Sequence, residues 1–445
     1  MTDVPTLTDE DTANYAVLNP LGPLGATFSN ANLTVVGPNA AWNGTIELPL
    51  SGKWYVECTA SRLYAGTFMG IFGIAPTATS GAGTGAGTGY TTGTYMYPST
   101  SAPRGTYKNG VYTEVVNGSV LNGVMAFAYD ADANTMQFYL NNVAYGSLLT
   151  GVNSVPMMVF GLVNGSSTAD STRHEVNFGQ RPFAYTPPAG YLKLNTFNLP
   201  DSSIVDGSTN FNTVLYTGNG GTQSIASLDF GPDLTWIKVR NSASYEQMWF
   251  DSVRGATKYL RSNSDAAEGT VANSLTSFDS NGFSLGANGD VNGSTFPIVA
   301  WNWKAGGTAV SNTDGTITSQ VSANPTAGFS VVTWTGTGAT ATVGHGLGVV
   351  PKLYITKDRT NSSTNWHYHT TQIDGGMDFL FLNTTSTSTS SSLSTPSSTV
   401  ITAGGTINTS SANFVSYVFA DVEGYSKFGS YTGNGSADGT FVYTG

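Results

Sequence analysis

Four histidines are the residues of this sequence best suited to acid–base chemistry: His174, His345, His367 and His369. A histidine-based hydrolase would also need a serine or cysteine nucleophile and an acid close to one of them. The sequence does not bring such a set together around any of the four. We therefore expect no histidine-based active site.

Two of the histidines have a spacing that could hold a metal ion. His367 and His369 flank Tyr368, so on a strand both side chains would lie on the same side. Imidazole is a common metal ligand, and Asp374 is the nearby acidic residue that could complete such a site. The alternative, which we favour, is that both histidines face solvent from a strand.

A second possible metal site lies in an acidic turn. Asp130, Asp132 and Asn134 have the spacing of the first three ligands of a calcium-binding loop. Thr135 stands where that loop needs glycine, and no glutamate follows at its far end. A plain hairpin turn is therefore the favoured interpretation, and we predict neither a metal ion nor another cofactor.

Aromatic residues beside a glycine-rich segment are the candidates for ligand binding. Residues 81–94 are nearly all Gly, Ala and Thr, which predicts an exposed loop. Sugar rings can pack their C–H faces on exposed aromatic rings. The candidate binding residues are Tyr90, Tyr95, Tyr97 and Tyr107. The alternative is that some of these rings only anchor the loop to its domain.

Paired carboxylates would indicate a glycoside hydrolase. The candidate glutamates are scattered, and spacing alone pairs none of them: Glu57, Glu114, Glu175, Glu246, Glu268 and Glu423. A glycan hydrolase is the main enzymatic alternative, but we expect no enzymatic activity.

The composition excludes one class of partner and favours one class of fold. The 445 residues include 17 basic and 28 acidic ones, a net charge of −11, with no run of Lys and Arg to bind a phosphate backbone. We therefore expect no nucleic-acid partner. Only 10% of residues are charged and 54 are glycine, which suits β-structure with Gly and Asn in its turns.

Cys58 is the single cysteine, which excludes disulfides within the chain and a cysteine-based zinc site. It alternates with polar residues on a predicted strand, where we expect a buried thiol. The N-terminus has neither a basic start nor an apolar stretch, so no signal peptide is expected. No apolar run approaches the length of about 18 residues that predicts a membrane span, so we expect no membrane insertion.

Short alternating runs separated by Gly, Asn, Asp and Pro predict strands throughout the chain. Residues 53–60 and 68–74 are predicted strands. Residues 124–129 and 136–140 are predicted to form a hairpin around the turn at 130–134. Many such strands in series predict antiparallel sandwiches or barrels.

An internal duplication occupies the second half of the chain. The clearest match is YTG at residues 216–218, which returns as WTG at 334–336, an offset of 118 (334 minus 216). A second patch aligns Trp236 with Tyr354 at the same offset (354 minus 236). A nearly constant offset over separate patches predicts tandem repeats.

Further signs of the duplication lie towards the C-terminus. Trp301 aligns with Tyr417 at an offset of 116 (417 minus 301). The motif that opens the first repeat, LYTGNG at residues 215–220, returns once more as SYTGNG at residues 430–435, and ten residues follow it. We expect that the native chain continues past Gly445 or that a neighbouring chain or domain completes the last strand. Residues 384–398 are almost pure Ser and Thr and are expected to form an exposed loop within the second repeat.

The first part of the chain resembles a SPRY domain. An apolar strand, a short acidic turn and a strand that ends in an aromatic pair and asparagines appear at residues 124–143. Residues 52–57 (GKWYVE) resemble an earlier strand of that family, and residues 176–183 (VNFGQRPF) resemble its closing strand. The resemblance covers roughly residues 12–192. It implies a β-sandwich that binds partners through loops at one end and has no catalytic residue set.

The rest of the chain resembles a repeat of bacteriophage tail and virion proteins. Residues 250–255 (FDSVRG), 299–307 (VAWNWKAGG) and 423–429 (EGYSKFG) carry this likeness. It implies a location in the virion, on the tail in preference to the capsid, and a homo-oligomer, most commonly a trimer in phage fibres. The implied partners are other virion proteins and a glycan or protein of the host surface.

We therefore predict an all-β chain, with a SPRY-like antiparallel β-sandwich followed by two tandem β-sandwich-like repeats and the start of a third. The predicted segments are an N-terminal segment (1–11), the SPRY-like sandwich (12–192), a linker (193–210), repeat 1 (211–310), repeat 2 (311–428) and an incomplete third repeat (429–445). The predicted function is a tail fibre or tail-associated adhesin, synthesised in the reducing host cytoplasm. A capsid decoration or head-fibre protein and a tailspike-type glycan hydrolase are the alternatives.

Overall fold

The computed structural model describes residues 9–10, 13–20, 26–62, 70–76, 93–98, 105–115, 122–152, 157–167, 170–433 and 435. Two compact units are present, with the main segments Met1–Pro200 and Asp201–Ser430. Nearly all regular structure in these ranges is antiparallel β-sheet, as predicted. Helical segments within these ranges are short and include the single turn α1 (Gly289–Asn292) and 3-10 turns at Gly207–Thr209 and Gly405–Ile407. No helix among the described residues has the length and apolar character needed to cross a membrane.

The first unit is a two-layered β-sandwich. Its strands are β1 (Thr27–Ser29), β2 (Thr34–Val36), β3 (Ala40–Leu48), β4 (Lys53–Arg62), β5 (Ile71–Pro76), β6 (Thr94–Tyr97), β7 (Gly105–Lys108), β8 (Val111–Glu114), β9 (Gly123–Asp130), β10 (Thr135–Leu140), β11 (Val143–Thr150), β12 (Met157–Val163), β13 (Gly165–Ser167) and β14 (Asp170–Asn177). One sheet has the order β1-β2-β14-β4-β9-β10-β11, with β13 beside β14, and the other has the order β3-β12-β5-β6-β7-β8. The predicted hairpin is confirmed as β9 and β10, with Thr135 opposite Asp130.

The core of the first unit lies between these two sheets. Alternate residues of β3 and β4 point into it, including Trp42 and Trp54, each at most 1% exposed. Cys58 is fully buried there, as expected, and burial raises the pKa of its thiol well above the ordinary value. Leu194 is also fully buried in this core. The first unit therefore includes residues that the sequence analysis assigned to the linker 193–210.

The second unit contains both predicted repeats. Its strands are β15 (Phe211–Thr217), β16 (Gln223–Ile225), β17 (Leu234–Val239), β18 (Met248–Asp251), β19 (Lys258–Arg261), β20 (Gly269–Thr270), β21 (Leu275–Asp279), β22 (Gly282–Leu285), β23 (Pro297–Trp303), β24 (Val310–Asn312), β25 (Ser319–Asn324), β26 (Phe329–Thr335), β27 (Ala341–Gly344), β28 (Leu353–Asp358), β29 (His367–Thr370), β30 (Asp378–Phe381), β31 (Thr389–Ser390), β32 (Val400–Ala403) and β33 (Asn413–Phe419).

Each repeat is a small sandwich with one large and one small sheet. Repeat 1 has the sheets β15-β23-β17-β18-β19-β20 and β16-β22-β21. Repeat 2 has the sheets β24-β25-β26-β33-β28-β29-β30-β31 and β27-β32. A separate apolar core fills the space between the two sheets of each repeat. The predicted tandem β-sandwich-like repeats are therefore confirmed.

Strand pairing aligns the two repeats residue by residue. Phe211 pairs with Trp303 at the start of β15, and Phe329 pairs with Phe419 at the start of β26. These pairs reproduce the offset of 118 for the first strand (329 minus 211) and of 116 for its partner (419 minus 303). The first and third aligned patches of the sequence analysis are thus in register.

The second aligned patch needs a correction. Leu234 and Leu353 lie opposite the equivalent aromatic residues at the ends of β23 and β33, so this strand has an offset of 119 (353 minus 234). The position equivalent to Trp236 is therefore Ile355, and the predicted alignment with Tyr354 is wrong by one residue. A slip of one residue exchanges the two faces of a strand, and Trp236 and Ile355 both lie on the outer face of their large sheet.

A buried asparagine holds the repeated Thr-Gly-x-Gly turn of repeat 1. The side chain of Asn292 accepts a hydrogen bond from the backbone N–H of Asn219 at 2.9 Å and donates to the backbone oxygen of Gly221 at 2.8 Å. Gly218 has no room for a side chain, because a Cβ there would lie 2.2 Å from the backbone oxygen of Gly293. The Thr-Gly-x-Gly motif therefore marks a close approach of two backbone segments.

In repeat 2, Asn408 holds the equivalent turn in the same way. Its side chain accepts hydrogen bonds from the backbone N–H of Thr337 and the indole N–H of Trp334, each at 3.3 Å, and donates to the backbone oxygen of Ala339 at 2.6 Å. A Cβ on Gly336 would lie 2.1 Å from a backbone oxygen. Because buried polar groups must be hydrogen-bonded, this asparagine and the turn depend on each other.

The two repeats pack together through the outer faces of their large sheets. Leu234 and Trp303 of repeat 1 share one apolar cluster with Phe329 and Tyr417 of repeat 2. Trp303 also contacts its register equivalent Phe419, with ring centroids 6.5 Å apart. An interface built from equivalent faces is isologous, as in a twofold dimer. The second unit is therefore a four-layered block with the two large sheets inside.

Candidate ligand-binding site

A half-open cleft of about 260 Å³ lies where the two repeats meet in the second unit. It opens beside β17 and β18 and the segments that follow β19 and β30. The residues that line it are Trp236, Gln247, Ser262, Asn263, Leu382, Asn383, Thr384 and Thr385. All of these side chains are neutral. The cleft therefore offers one aromatic ring among amides and hydroxyls.

Equivalent loops of the two repeats supply most of this lining. In repeat 1 the backbone N–H of Gln247 donates to the side-chain oxygen of Asn263 at 3.0 Å. In repeat 2 the backbone N–H of Trp366 donates to the side-chain oxygen of Asn383 at 2.9 Å. Strand register aligns Gln247 with Trp366 and Asn263 with Asn383. The same backbone hydrogen bond thus orients one asparagine on each side of the cleft.

Trp236 belongs to a row of four tryptophans. Its ring centroid lies 4.9 Å from that of Trp301 and 5.2 Å from that of Trp249, and Trp249 lies 5.2 Å from Trp366. Trp366 also donates its indole N–H to the backbone oxygen of Arg261 at 2.8 Å. Packing by Trp249 and Trp301 holds the Trp236 indole in one orientation.

A buried ion network fixes the repeat 1 side of the cleft against repeat 2. Arg254 pairs with Asp251 and Glu268, and the hydroxyl of Tyr417 from repeat 2 donates to Asp251 at 2.7 Å. Arg359 of repeat 2 donates to both oxygens of Glu268, at 2.8 and 3.1 Å. Burial alone would raise the pKa of Glu268, but the hydrogen bond from Arg359 and the charge of Arg254 hold it below the ordinary value. The segment after β19 is thus attached to both repeats.

The arrangement of the cleft suits binding of a polar, uncharged ligand. The amides of Asn263, Asn383 and Gln247 carry both donors and acceptors, and the indole of Trp236 supplies an apolar surface. Acid–base catalysis needs a group that exchanges protons within reach of the ligand. Glu246 lies beside the lining and accepts a hydrogen bond from Asn263 at 2.6 Å, whereas the lining side chains themselves are suited to bind and orient a ligand.

The tyrosines predicted to bind a ligand form a packed cluster in the first unit. Tyr95 is only 6% exposed and stacks on Tyr107 at 4.9 Å, and Tyr97 lies 6.2 Å from Tyr107. Tyr97 and Tyr107 are half-buried. The expectation of an exposed ring is wrong for Tyr95, because strand pairing places it inside an apolar cluster of the second sheet. Tyr90 lies outside the described residues.

His369 is buried in repeat 2 and His367 is half-buried, so the prediction that both face solvent is wrong. Register aligns them with Met248 and Phe250 of repeat 1. His369 is 2% exposed and its ring stacks on Tyr354 at 4.8 Å. Burial lowers the pKa of His367 to about 4 and that of His369 to about 3. Both rings are therefore neutral at neutral pH.

The candidate metal ligands serve other roles. Among the described residues, no group of three His, Cys, Asp or Glu side chains could hold a metal ion. Asp374 accepts a backbone hydrogen bond from Gly376 at 2.8 Å. Asp130 pairs with Lys53 at 2.9 Å, and Asp132 accepts a backbone hydrogen bond at 2.9 Å. These contacts agree with the favoured interpretation of the acidic segment as a hairpin turn.

The other candidates for acid–base or nucleophilic chemistry also have structural partners. His174 accepts a hydrogen bond from the indole N–H of Trp42 at 3.2 Å, and His345 accepts one from a backbone N–H at 3.2 Å. Ser284 is not among the candidates predicted from the sequence, although it lies in the sequence Gly-Phe-Ser-Leu-Gly and so matches a pattern of many serine hydrolases. That pattern works at a strand-to-helix turn, whereas Ser284 lies within β22 and donates its hydroxyl to Asp279 at 2.7 Å.

Sequence reasoning missed Trp236 as a candidate binding residue. The missed signal was the alternation along β17, where Ile237 and Val239 point into the core of repeat 1 and Trp236 therefore points to the opposite face. Trp301 and Trp303 lie on that same outer face of β23. A concentration of tryptophans on the face away from the core indicates a surface that packs against or binds something else.

One family profile covers the part of the chain that holds the cleft. The family described as "Domain of unknown function (DUF7483)" matches residues 206–445. The chain belongs to this family. The DUF7483 region includes both repeats, the buried ion network and every residue that lines the cleft.

Outside the DUF7483 family, the similarities are to solved structures. No curated protein matches the chain. The stonustoxin structure is similar at 16% identity with a TM-score of 0.28, over 37% of this chain and 27% of that chain. This chain therefore spans about a quarter of the length of the stonustoxin chain. The PSpry domain of TRIM65 is similar at 10% identity with a TM-score of 0.30, over 37% of this chain and 90% of that chain. The SPRY domain of human HERC1 is similar at 13% identity with a TM-score of 0.27, over 35% of this chain and 94% of that chain.

Proposed function

We propose that this chain is a structural protein of a bacteriophage particle, a tail fibre or tail-associated adhesin that binds the host surface or docks other virion parts. The observation that supports binding most directly is the neutral cleft that equivalent loops of both repeats build around Trp236. The virion location rests on the likeness of residues 250–255, 299–307 and 423–429 to repeats of phage virion proteins.

The repeats also suit a rigid structural part of a particle. Their large sheets share one apolar cluster, and the Arg254 network crosses the boundary between them. β15 and β24 are edge strands, and they expose Leu215 at 61% and Val310 at 65%. Unpaired strand edges with exposed apolar side chains are surfaces on which further chains can pair. The proposal therefore includes a homo-oligomer among other virion proteins, with these edges as candidate contacts. The trimer rests on the resemblance to phage fibres, and the proposed role is binding without catalysis.

Electron microscopy of purified virions labelled with an antibody to this chain tests the location. Label on the tail supports the proposal. Label on the capsid replaces it with the decoration or head-fibre alternative, and particles without label contradict a virion protein altogether. Purified chain should also bind host cells without releasing reducing sugar from host envelope glycans. Release of reducing sugar would replace the adhesin with a tailspike-type hydrolase.

A further inference from the structure

We infer that the cleft around Trp236 binds a neutral saccharide, an inference that rests on the proposed host-binding function and names its ligand. The cleft volume of about 260 Å³ is near the lower limit of small-molecule sites, about 300 Å³. Because the cleft is half-open, it can take one or two sugar rings of a longer chain. Host-surface glycans present such rings at chain ends and along their length.

The surroundings of the cleft disfavour a charged ligand. Glu246 and Arg261 are two charged residues beside the lining, 4.0 Å apart. Glu246 already accepts a hydrogen bond from Asn263 at 2.6 Å, and Arg261 lies over the ring of Tyr259 at 5.1 Å. An acidic sugar would therefore meet no cation in the lining, and burial of an unpaired carboxylate is costly. The net charge of −11 adds a further repulsion.

The side chains of the cleft match the two kinds of surface on a sugar ring. A pyranose has an apolar C–H face, which packs on an indole, and a rim of hydroxyls, which both donate and accept hydrogen bonds. Asn383 donates to Asn365 at 2.9 Å and accepts from Trp366 at 2.9 Å. An amide can make four hydrogen bonds, so Asn383 keeps one donor and one acceptor for a ligand hydroxyl.

The binding groups are also held in place before a ligand arrives. Trp236 is packed by Trp249 and Trp301, and the loop that carries Asn263 is attached to repeat 2 by Glu268 and Arg359. Ordering of flexible side chains is a main cost of association. A cleft that needs little ordering can bind a small neutral ligand through few contacts.

Isothermal titration of the full chain tests the inference with maltotriose, mannotriose and tri-N-acetylchitotriose as neutral probes and trigalacturonate as the charged probe. We expect saturable binding of at least one neutral probe and at least about tenfold weaker binding of trigalacturonate. Trp236→Ala should weaken binding at least about tenfold, because it removes the ring surface. Thr385→Arg places a bulky side chain in the cleft and should abolish binding. Its matched control is Thr387→Arg, on the same exposed segment but outside the lining, which should bind like the parent chain.

The possible results separate this inference from the proposed function. Unchanged binding in Thr385→Arg, tighter binding of trigalacturonate, or no binding of any neutral probe at millimolar concentration overturns the saccharide cleft. If Thr385→Arg binds host cells as tightly as the parent chain does, the adhesin function is supported and uses a surface other than the cleft. If the cleft binds a neutral probe but the chain binds no host cells, the cleft stands and the adhesin role fails.

Discussion

The two repeats share a backbone frame and differ in the chemistry of one hairpin. In both, a fully buried asparagine, Asn292 or Asn408, holds the glycine turn that opens the repeat. Repeat 1 fills two core positions on β18 with Met248 and Phe250, where repeat 2 has a pair of histidines on β29. Backbone turns therefore constrain this duplicated fold more strictly than the polarity of its core does.

The outer faces of the repeats have diverged in a way that creates the cleft. Asn263 and Asn383 are equivalent and make the same backbone hydrogen bond. Trp236, by contrast, has Ile355 at its equivalent position in repeat 2, where the side chain is buried. The amides are therefore duplicated but the aromatic platform is not. The lining of the cleft is therefore asymmetric, because only repeat 1 supplies an indole to it.

The largest expected effect comes from breaking the join between the repeats with Arg254→Ala. Its side chain is fully buried, and its loss leaves Asp251 without its ion pair and Glu268 with one partner fewer. Removal of one partner from a buried ion pair destabilises by roughly 3–5 kcal/mol. We expect a loss of this size in the urea unfolding transition of the second unit. The control Arg240→Ala removes an exposed side chain and should stay within about 0.5 kcal/mol. A loss below about 1 kcal/mol in Arg254→Ala would contradict a structural role for the network.

The second prediction concerns a variant in which the core of repeat 2 resembles that of repeat 1. The folded pKa values of His367 and His369, about 4 and about 3, lie below the ordinary value of 6.5. The unfolded chain therefore binds more protons in acid, so stability is complete above pH 6.5 and falls as the pH drops towards 4 and 3. For His367 the loss between pH 7 and pH 4 is about 3 kcal/mol. The charge of Lys357 contributes to the low pKa of His367, and His367 contributes to that of His369.

The variant His367→Met with His369→Phe carries the repeat 1 residues at these positions. Urea unfolding at pH 7 and pH 4 should show a smaller acid-induced loss for this variant than for the parent chain. Part of the loss should remain, because burial also lowers the pKa of His345. An unchanged difference between the two pH values would mean that the histidine pair does not control the acid sensitivity of repeat 2.

The elements were predictable from the sequence where their signals are local. Alternation and turn residues predicted β4 and the hairpin of β9 and β10, because each depends on a few adjacent residues. The tandem repeat was visible because its turns require glycine at Gly218 and Gly336. Local patterns thus identified strands, turns and the duplication.

The candidate site was not predictable, because it depends on which strand faces are covered. Alternation placed His367 and His369 on one face but could not tell that other residues cover it, among them Tyr354 against His369 and Thr406 against His367. The same limit applies to Tyr95, which is buried on the outer face of its sheet. The cleft brings Trp236 together with Asn383, and only the packing of two repeats determines that contact.

The smallest of the expected effects tests the frame that the repeats share. Asn292→Ala and Asn408→Ala each remove a fully buried amide that satisfies backbone groups of a glycine turn. Buried groups left without partners cost about 1–3 kcal/mol, so each variant should lose about 2 kcal/mol in urea unfolding. Because the two amides hold equivalent turns, the two losses should agree within about 1 kcal/mol. Unequal losses would show that the asparagine stabilises one turn more than the other. The glycine turns would then have diverged between the repeats, as the histidine positions of β29 have.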